Sequence, residues 1–160
     1  MFWPVVLILA TPGPTCKAAD RRIEEVIEAK VRAIGGVEHC QDRLYHTPDD
    51  LDGDGREDFV VVFNVEAPER GDVSQYLAVF PSATQWKPLV LKVGQRGERY
   101  VDEIQVDDDR VLVLLTSEFE PGDAACCPSG EGELLYRVTR GRITPVSATP
   151  EPPPAKRSSP

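Results

Sequence analysis

The residues with the clearest capacity for chemistry are the aspartates of TPDDLDGDGREDF, residues 47–59. When Asp50 is taken as position 1, carboxylates fall at positions 1, 3, 5 and 9, and Gly55 at position 6 permits a sharp turn. Alternate residues of a curled chain converge on one point, and Ca²⁺ takes about six to eight hard oxygen ligands. The spacing therefore predicts a calcium site. Its ligands are Asp50, Asp52, Asp54, Arg56 (through its backbone carbonyl) and Asp58.

The alternative is a turn whose aspartate side chains are simply solvated. Single aspartates are common in turns, but four at metal-ligand spacing with glycine at the sixth position favour a cation. Mg²⁺ fits less well because it requires near-octahedral geometry at shorter distances. The loop also differs from an EF-hand, because Val61 stands at position 12 and Asp58 must supply the closing carboxylate.

The pattern D-x-D-G-D-G-x-x-D before a hydrophobic strand resembles the calcium loop of FG-GAP and VCBS-type repeats, which build integrin-type β-propellers. This resemblance implies the same five ligands. It covers the loop and the following segments DFVVVF and QYLAVF. Because this chain carries one copy, we do not infer a propeller.

A second resemblance combines two motifs, the loop at Asp52 to Asp58 and CCPSGEGELLYRV at residues 126–138. Their order and the chain length are similar to those of a group of small bacterial secreted proteins and lipoproteins. The resemblance implies export and a shared fold, and it implies no particular activity.

The chain has four cysteines: Cys16, Cys40, Cys126 and Cys127. In an exported protein they are expected to oxidise. A bond between neighbours strains the peptide, so the expected disulfide joins Cys40 to Cys126 or Cys127, and spacing does not choose between these two. A zinc site is disfavoured because the sequence contains no C-x-x-C pair.

The remaining candidate residues fit structural roles better than catalytic ones. His46 is either a neighbour of the predicted metal site or a solvated histidine, and we favour the latter. VDDDRV, residues 106–111, has neither alternating spacing nor glycine and predicts a hairpin turn. The sequence contains no P-loop, G-x-S-x-G, dinucleotide loop or H-E-x-x-H motif. We therefore expect a protein that is not an enzyme.

The elements that position the loop follow from the periodicity of apolar residues. Residues 20–34 carry isoleucine and valine at three- and four-residue spacing, which predicts an amphipathic helix. Alternating segments then predict six or seven strands. These lie at 59–66, 75–80, 88–93, 100–106, 110–117, 133–139 and 142–146. The predicted fold is α+β, with one N-terminal amphipathic helix packed on a mainly antiparallel β meander.

The length of 160 residues suggests one domain, predicted at residues 20–146. Residues 1–19 are expected to be a leader, because the apolar run is too short to span a bilayer and has the length of a signal-peptide core. A lipoprotein anchored through Cys16 is disfavoured, because GPTC lacks the aliphatic residue expected three positions before the cysteine. The Pro- and Ser-rich residues 147–160 are expected to be a disordered tail.

The net charge of −9 disfavours binding to nucleic acid or to anionic membrane surfaces. Together with the loop, it fits a secreted or periplasmic, non-enzymatic protein with one structural calcium ion. The alternative is a periplasmic binding or inhibitor protein that acts on a basic enzyme of the cell envelope.

Overall fold

The computed structural model describes residues 20–68, 71–82, 87–139 and 141–147. Within these ranges the chain forms one α-helix, one 3-10 turn and nine β-strands. Helix α1 spans Arg21–Ile34 and the 3-10 turn spans Cys40–Asp42. The strands are β1 (Val37–Glu38), β2 (Leu44–Asp49), β3 (Asp58–Glu66), β4 (Val73–Phe80), β5 (Leu89–Gln95), β6 (Arg99–Val106), β7 (Val111–Glu118), β8 (Gly130–Thr139) and β9 (Arg142–Pro145).

The predicted α+β class with six or seven strands is wrong, because the described residues form a β-rich fold of nine strands. The two additional strands, β1 and β2, precede the loop of residues 50–57, which is called the aspartate loop below. β1 has only two residues, and β2 contains Pro48, which cannot donate to a ladder. β2 is paired with β3, and an edge position of this kind tolerates proline. Its formation depends on β3 rather than on its own sequence.

The strands form one antiparallel sheet in the order β1-β3-β4-β5-β6-β7-β8-β9, with β2 also paired to β3. Val37 of β1 lies opposite Glu66, and Leu44 of β2 lies opposite Val62, so both short strands extend along β3. β5 and β6 share a single register pair, Gln95 with Arg99. The sheet curls, since β2 approaches β6.

Apolar residues of β3 are buried on both faces of the sheet. Val60 and Val62 belong to the interior of the curled sheet, together with residues of β4 to β8. Val61 and Phe63 face the opposite side, where α1 covers them with Ile23 and other residues of its apolar stripe. Burial on both faces explains why the first part of β3 is continuously apolar and does not alternate.

Helix α1 has a defined cap at each end. The Asp20 carboxylate accepts a hydrogen bond from the Arg22 backbone N–H at 2.9 Å, and Gly35 ends the helix in a left-handed conformation with φ 72°. In the described part of the chain, no helix is long and apolar enough to cross a membrane. The predicted leader and residues 148–160 of the predicted tail lie outside the described residues.

Replacing Asp20 with alanine is expected to lower the free energy of unfolding by about 1 kcal/mol, because α1 loses its N-cap. Hydrogen bonds from the Arg22 side chain and backbone lower the pKa of Asp20 below its ordinary value. The stabilisation is therefore present above the unfolded pKa and is lost as the pH falls through the folded pKa. Urea unfolding from neutral to strongly acidic pH measures this. The difference in unfolding free energy between the native protein and Asp20→Ala should disappear in acid. An equal gap at every pH would contradict it.

Candidate metal centre

The aspartate loop, residues 50–57, connects β2 to β3, and the two strand residues that flank it are paired with each other. Asp49, the last residue of β2, lies opposite Asp58, the first residue of β3. The register of this ladder shifts between His46 and Asp49, so β2 is irregular just before the loop. Residues 50–57 are thus held at both ends by backbone pairing.

The Asp50 carboxylate organises the interior of the loop. It accepts backbone hydrogen bonds from Gly53 at 2.8 Å, Asp54 at 3.0 Å and Gly55 at 3.1 Å. Gly53 and Gly55 adopt left-handed conformations, with φ of 78° and 83°, which glycine reaches without the steric penalty of a side chain. The chain therefore curls around one carboxylate, as the position of Gly55 predicted.

Asp58 joins the loop to the buried part of the protein. Its side chain is 1% exposed, and it accepts hydrogen bonds from the backbone N–H of Leu51 at 3.0 Å and of Ser82 at 2.7 Å. Burial raises the pKa of Asp58, and the negative charge of Asp52 contributes in the same direction. The Leu51 side chain is itself buried in the interior of the curled sheet. A buried carboxylate of this kind is stabilised by a nearby cation.

Three of the predicted ligands converge. Asp50, Asp52 and Asp58 each place a carboxylate oxygen so that these atoms all lie within 4.8 Å of one another. One oxygen of Asp52, Oδ2, is buried and has no hydrogen-bond partner in the part of the chain that the structure describes. Hard anionic oxygens gathered in this way repel one another unless a cation lies among them. This group could hold a metal ion.

Asp54 lies outside this group of three. Its carboxylate accepts hydrogen bonds from the Ser82 hydroxyl at 3.0 and 3.1 Å and from the Arg56 backbone N–H at 2.8 Å. Arg56 lies on the exposed part of the loop, and its backbone carbonyl remains the predicted seventh-position ligand.

Two residues that sequence analysis did not identify contact the loop. Ser82 follows β4 and bonds to both Asp54 and Asp58. Arg110, in the turn between β6 and β7, places a guanidinium nitrogen 3.8 Å from an Asp50 oxygen. Both residues are distant from the loop in sequence, and no local pattern marks either of them.

Comparisons of this chain with protein-family models, with curated proteins and with solved structures find no match.

The other predicted candidates have structural surroundings. The segment VDDDRV forms the turn between β6 and β7, where Asp107 accepts backbone hydrogen bonds from Asp109 at 2.9 Å and Val111 at 2.8 Å. His46 lies in β2 opposite Val60, and its Nδ1 is buried with no hydrogen-bond partner among the residues that the structure describes. His39 Nε2 lies within hydrogen-bond distance, 2.6 Å, of a Glu66 carboxylate oxygen.

The predicted disulfide between Cys40 and one of the later cysteines is wrong, because Cys126 and Cys127 are bonded to each other. The sheet order explains this outcome. Cys40 lies in the 3-10 turn beside β3, whereas the Cys126–Cys127 pair follows β7, and β4, β5 and β6 separate these two strands.

Proposed function

We propose that residues 50–58 bind one Ca²⁺ and that the chain is an exported, non-enzymatic protein whose fold this ion stabilises. Two observations carry the proposal: Asp50, Asp52 and Asp58 converge, and the buried Oδ2 of Asp52 has no hydrogen-bond partner among the described residues. A cation at this point would satisfy that oxygen and offset the repulsion among the three carboxylates.

Calcium suits the site better than other divalent ions. All of the available ligands are oxygens, which disfavours the softer transition metals. Calcium also tolerates a flexible coordination sphere, so Asp54 and the Arg56 carbonyl could complete it after a small movement of the loop. The likeness of the sequence to FG-GAP and VCBS-type loops supports the same choice.

The position of the loop suggests what the ion would do. Three separate segments meet there: the loop itself, Ser82 after β4 and Arg110 in the β6–β7 turn. Leu51 and Asp58 connect the loop to the buried interior. An ion bound by Asp50, Asp52 and Asp58 would therefore hold one end of the sheet together.

Export remains part of the proposal because it explains two features of the sequence. The apolar residues 2–10 fit the core of a signal peptide. Extracellular calcium modules have dissociation constants of about 10⁻⁴–10⁻³ M, and a loop that is largely exposed would function where calcium is abundant.

Calcium is expected to raise the melting temperature of the purified protein, and a chelator is expected to reverse the shift. At a hundredfold excess over the dissociation constant, the stabilisation is about 2.7 kcal/mol. Asp52→Asn should abolish the shift without destabilising the chelated protein. Oδ2 has no hydrogen-bond partner among residues 20–68, 71–82, 87–139 and 141–147, and the amide oxygen of asparagine can keep the bond that Oδ1 accepts from the Asp54 N–H.

Asp108→Asn is the matched control for that experiment. It makes the same chemical change at an exposed aspartate of the β6–β7 turn, and it should retain the full calcium shift. Differential scanning calorimetry with and without chelator measures all three proteins. Identical melting curves of the native protein under both conditions would refute the proposed calcium function.

A further inference from the structure

The loop between β7 and β8 presents a disulfide to solvent. Cys126 and Cys127 are adjacent in sequence and bonded to each other, and both residues are exposed. Exposed disulfides are the ones that undergo exchange most readily, since a thiolate must reach a sulfur atom to attack it.

This disulfide does not connect separate parts of the fold. Cross-linking stabilises a protein mainly by restricting the unfolded chain, and this effect grows with the number of residues enclosed between the cysteines. The pair encloses none, because its sequence separation is 1. Structural cross-linking therefore does not account for it.

The loop keeps its shape through bonds that do not involve sulfur. The Asp123 carboxylate accepts hydrogen bonds from the backbone N–H of Glu120 at 2.7 Å and of Ser129 at 2.9 Å, and from the Ser129 hydroxyl at 2.8 Å. The Cys127 N–H donates to the Ala124 carbonyl at 2.9 Å. Opening the disulfide would leave this framework intact, with two thiols side by side.

A cavity of about 560 Å³ lies next to the pair. Its wall includes Ala125, which adjoins Cys126, together with Phe119 and Arg96. The cavity borders this side of the loop, and the Glu120 and Asp123 carboxylates also line it.

We propose that Cys126–Cys127 is a redox site that exchanges with a dithiol reductant. A thiolate of the dithiol attacks one sulfur, the S–S bond breaks, and the other cysteine leaves as a thiolate. The second thiol of the reductant then displaces the first cysteine from the mixed disulfide. Two electrons and two protons pass to the protein, and the reductant leaves as its own disulfide.

The test is native-state labelling of the full chain with dithiothreitol as the reductant, followed by iodoacetamide and tryptic mass mapping. Cleavage after Arg110 and Arg137 gives the peptide 111–137, whose cysteines are those of the pair. We expect two labels on this peptide, an unchanged circular dichroism spectrum, and no label after reoxidation with oxidised dithiothreitol. Phenylarsine oxide, which bridges neighbouring thiols, should block both labels.

Two variants serve as controls. The double variant Cys126→Ser/Cys127→Ser should show no label on 111–137 and the same circular dichroism spectrum as the native protein. Asp123→Ala should slow reoxidation, because the thiols lose the framework that holds them together. The proposal is overturned if the native peptide becomes labelled only in denaturant, or if its labelling coincides with loss of the folded spectrum.

Discussion

Replacing Arg43 with alanine is expected to lower the free energy of unfolding by about 3–5 kcal/mol, because two carboxylates then lose a buried partner. The Arg43 side chain is 4% exposed. Its guanidinium contacts Glu24 of α1 at 2.6 and 3.0 Å and Glu38 of β1 at 2.5 and 2.9 Å. This arginine therefore joins the helix to the short first strand at the edge of the sheet.

The electrostatics around Arg43 agree with a strong interaction between its guanidinium and the two glutamates. Burial by itself lowers the pKa of Arg43, but the hydrogen bonds to Glu38 and Glu24 outweigh it and raise the pKa above its ordinary value. Removing the guanidinium leaves both carboxylates, which are 14% and 18% exposed, without this charge. Carboxylates that are largely shielded from water recover little of the loss by hydration.

Arg32→Ala provides the matched control. It removes the same charge, but Arg32 pairs with Glu28 at 3.8 Å on the exposed surface of α1. Exposed pairs of this spacing contribute about 0.3–0.5 kcal/mol. Urea unfolding followed by circular dichroism measures both variants. Equal losses of unfolding free energy for Arg32→Ala and Arg43→Ala would show that the buried ion pairs of Arg43 stabilise the fold no more than an exposed pair does.

The second large effect is expected for Asp58→Ala, which should destabilise the protein even in the presence of chelator. The substitution removes the acceptor of two backbone N–H groups, those of Leu51 and Ser82. Leaving the buried Leu51 N–H unsatisfied costs about 1–3 kcal/mol, and the partly buried Ser82 N–H costs less because water can reach it. With calcium present, the loss of ion binding adds about 2.7 kcal/mol at a hundredfold excess over the dissociation constant.

Asp58 is expected both to hold the loop in place and to bind the ion. Asp54→Ala is the control that should affect mainly the second of these roles. Asp54 bonds to the Ser82 hydroxyl and the Arg56 N–H on the exposed side of the loop. We expect Asp54→Ala to change stability little in chelator, because water can replace both bonds, and to weaken the response to calcium. Chemical unfolding with and without calcium tests both variants. If Asp58→Ala matched the native protein in chelator, the role of Asp58 in holding the loop would be disproved.

The spacing of apolar residues along the sequence predicted most of the helix and strand positions. The spacing of apolar residues located α1 to within one residue, because Asp20 caps the helix and does not belong to it. The seven segments predicted as strands coincide with β3 to β9. β1 and β2 were missed because their conformation depends on pairing with β3, and the absence of β1 and β2 made the predicted class wrong.

The candidate site likewise combines features that the local sequence predicts with contacts that only the folded sheet creates. The curl that brings Asp50 and Asp52 together follows from alternate spacing and a glycine turn, which are local properties, whereas the pairing of Asp49 with Asp58 brings Asp58 to the same place. The contacts of Ser82 and Arg110 join segments brought together only by the folded sheet. The pairing of the cysteines likewise depended on strand order, which the sequence alone does not specify.

The amount of calcium bound per chain tests the central claim most directly. Elemental analysis of native protein and of Asp52→Asn measures it, after each is dialysed against the same buffer with calcium in large excess over the dissociation constant and the calcium of the dialysate is subtracted. We predict one calcium ion per native chain and none for the folded variant. A folded native chain that retains no calcium, or a variant that retains as much as the native chain, would contradict the account.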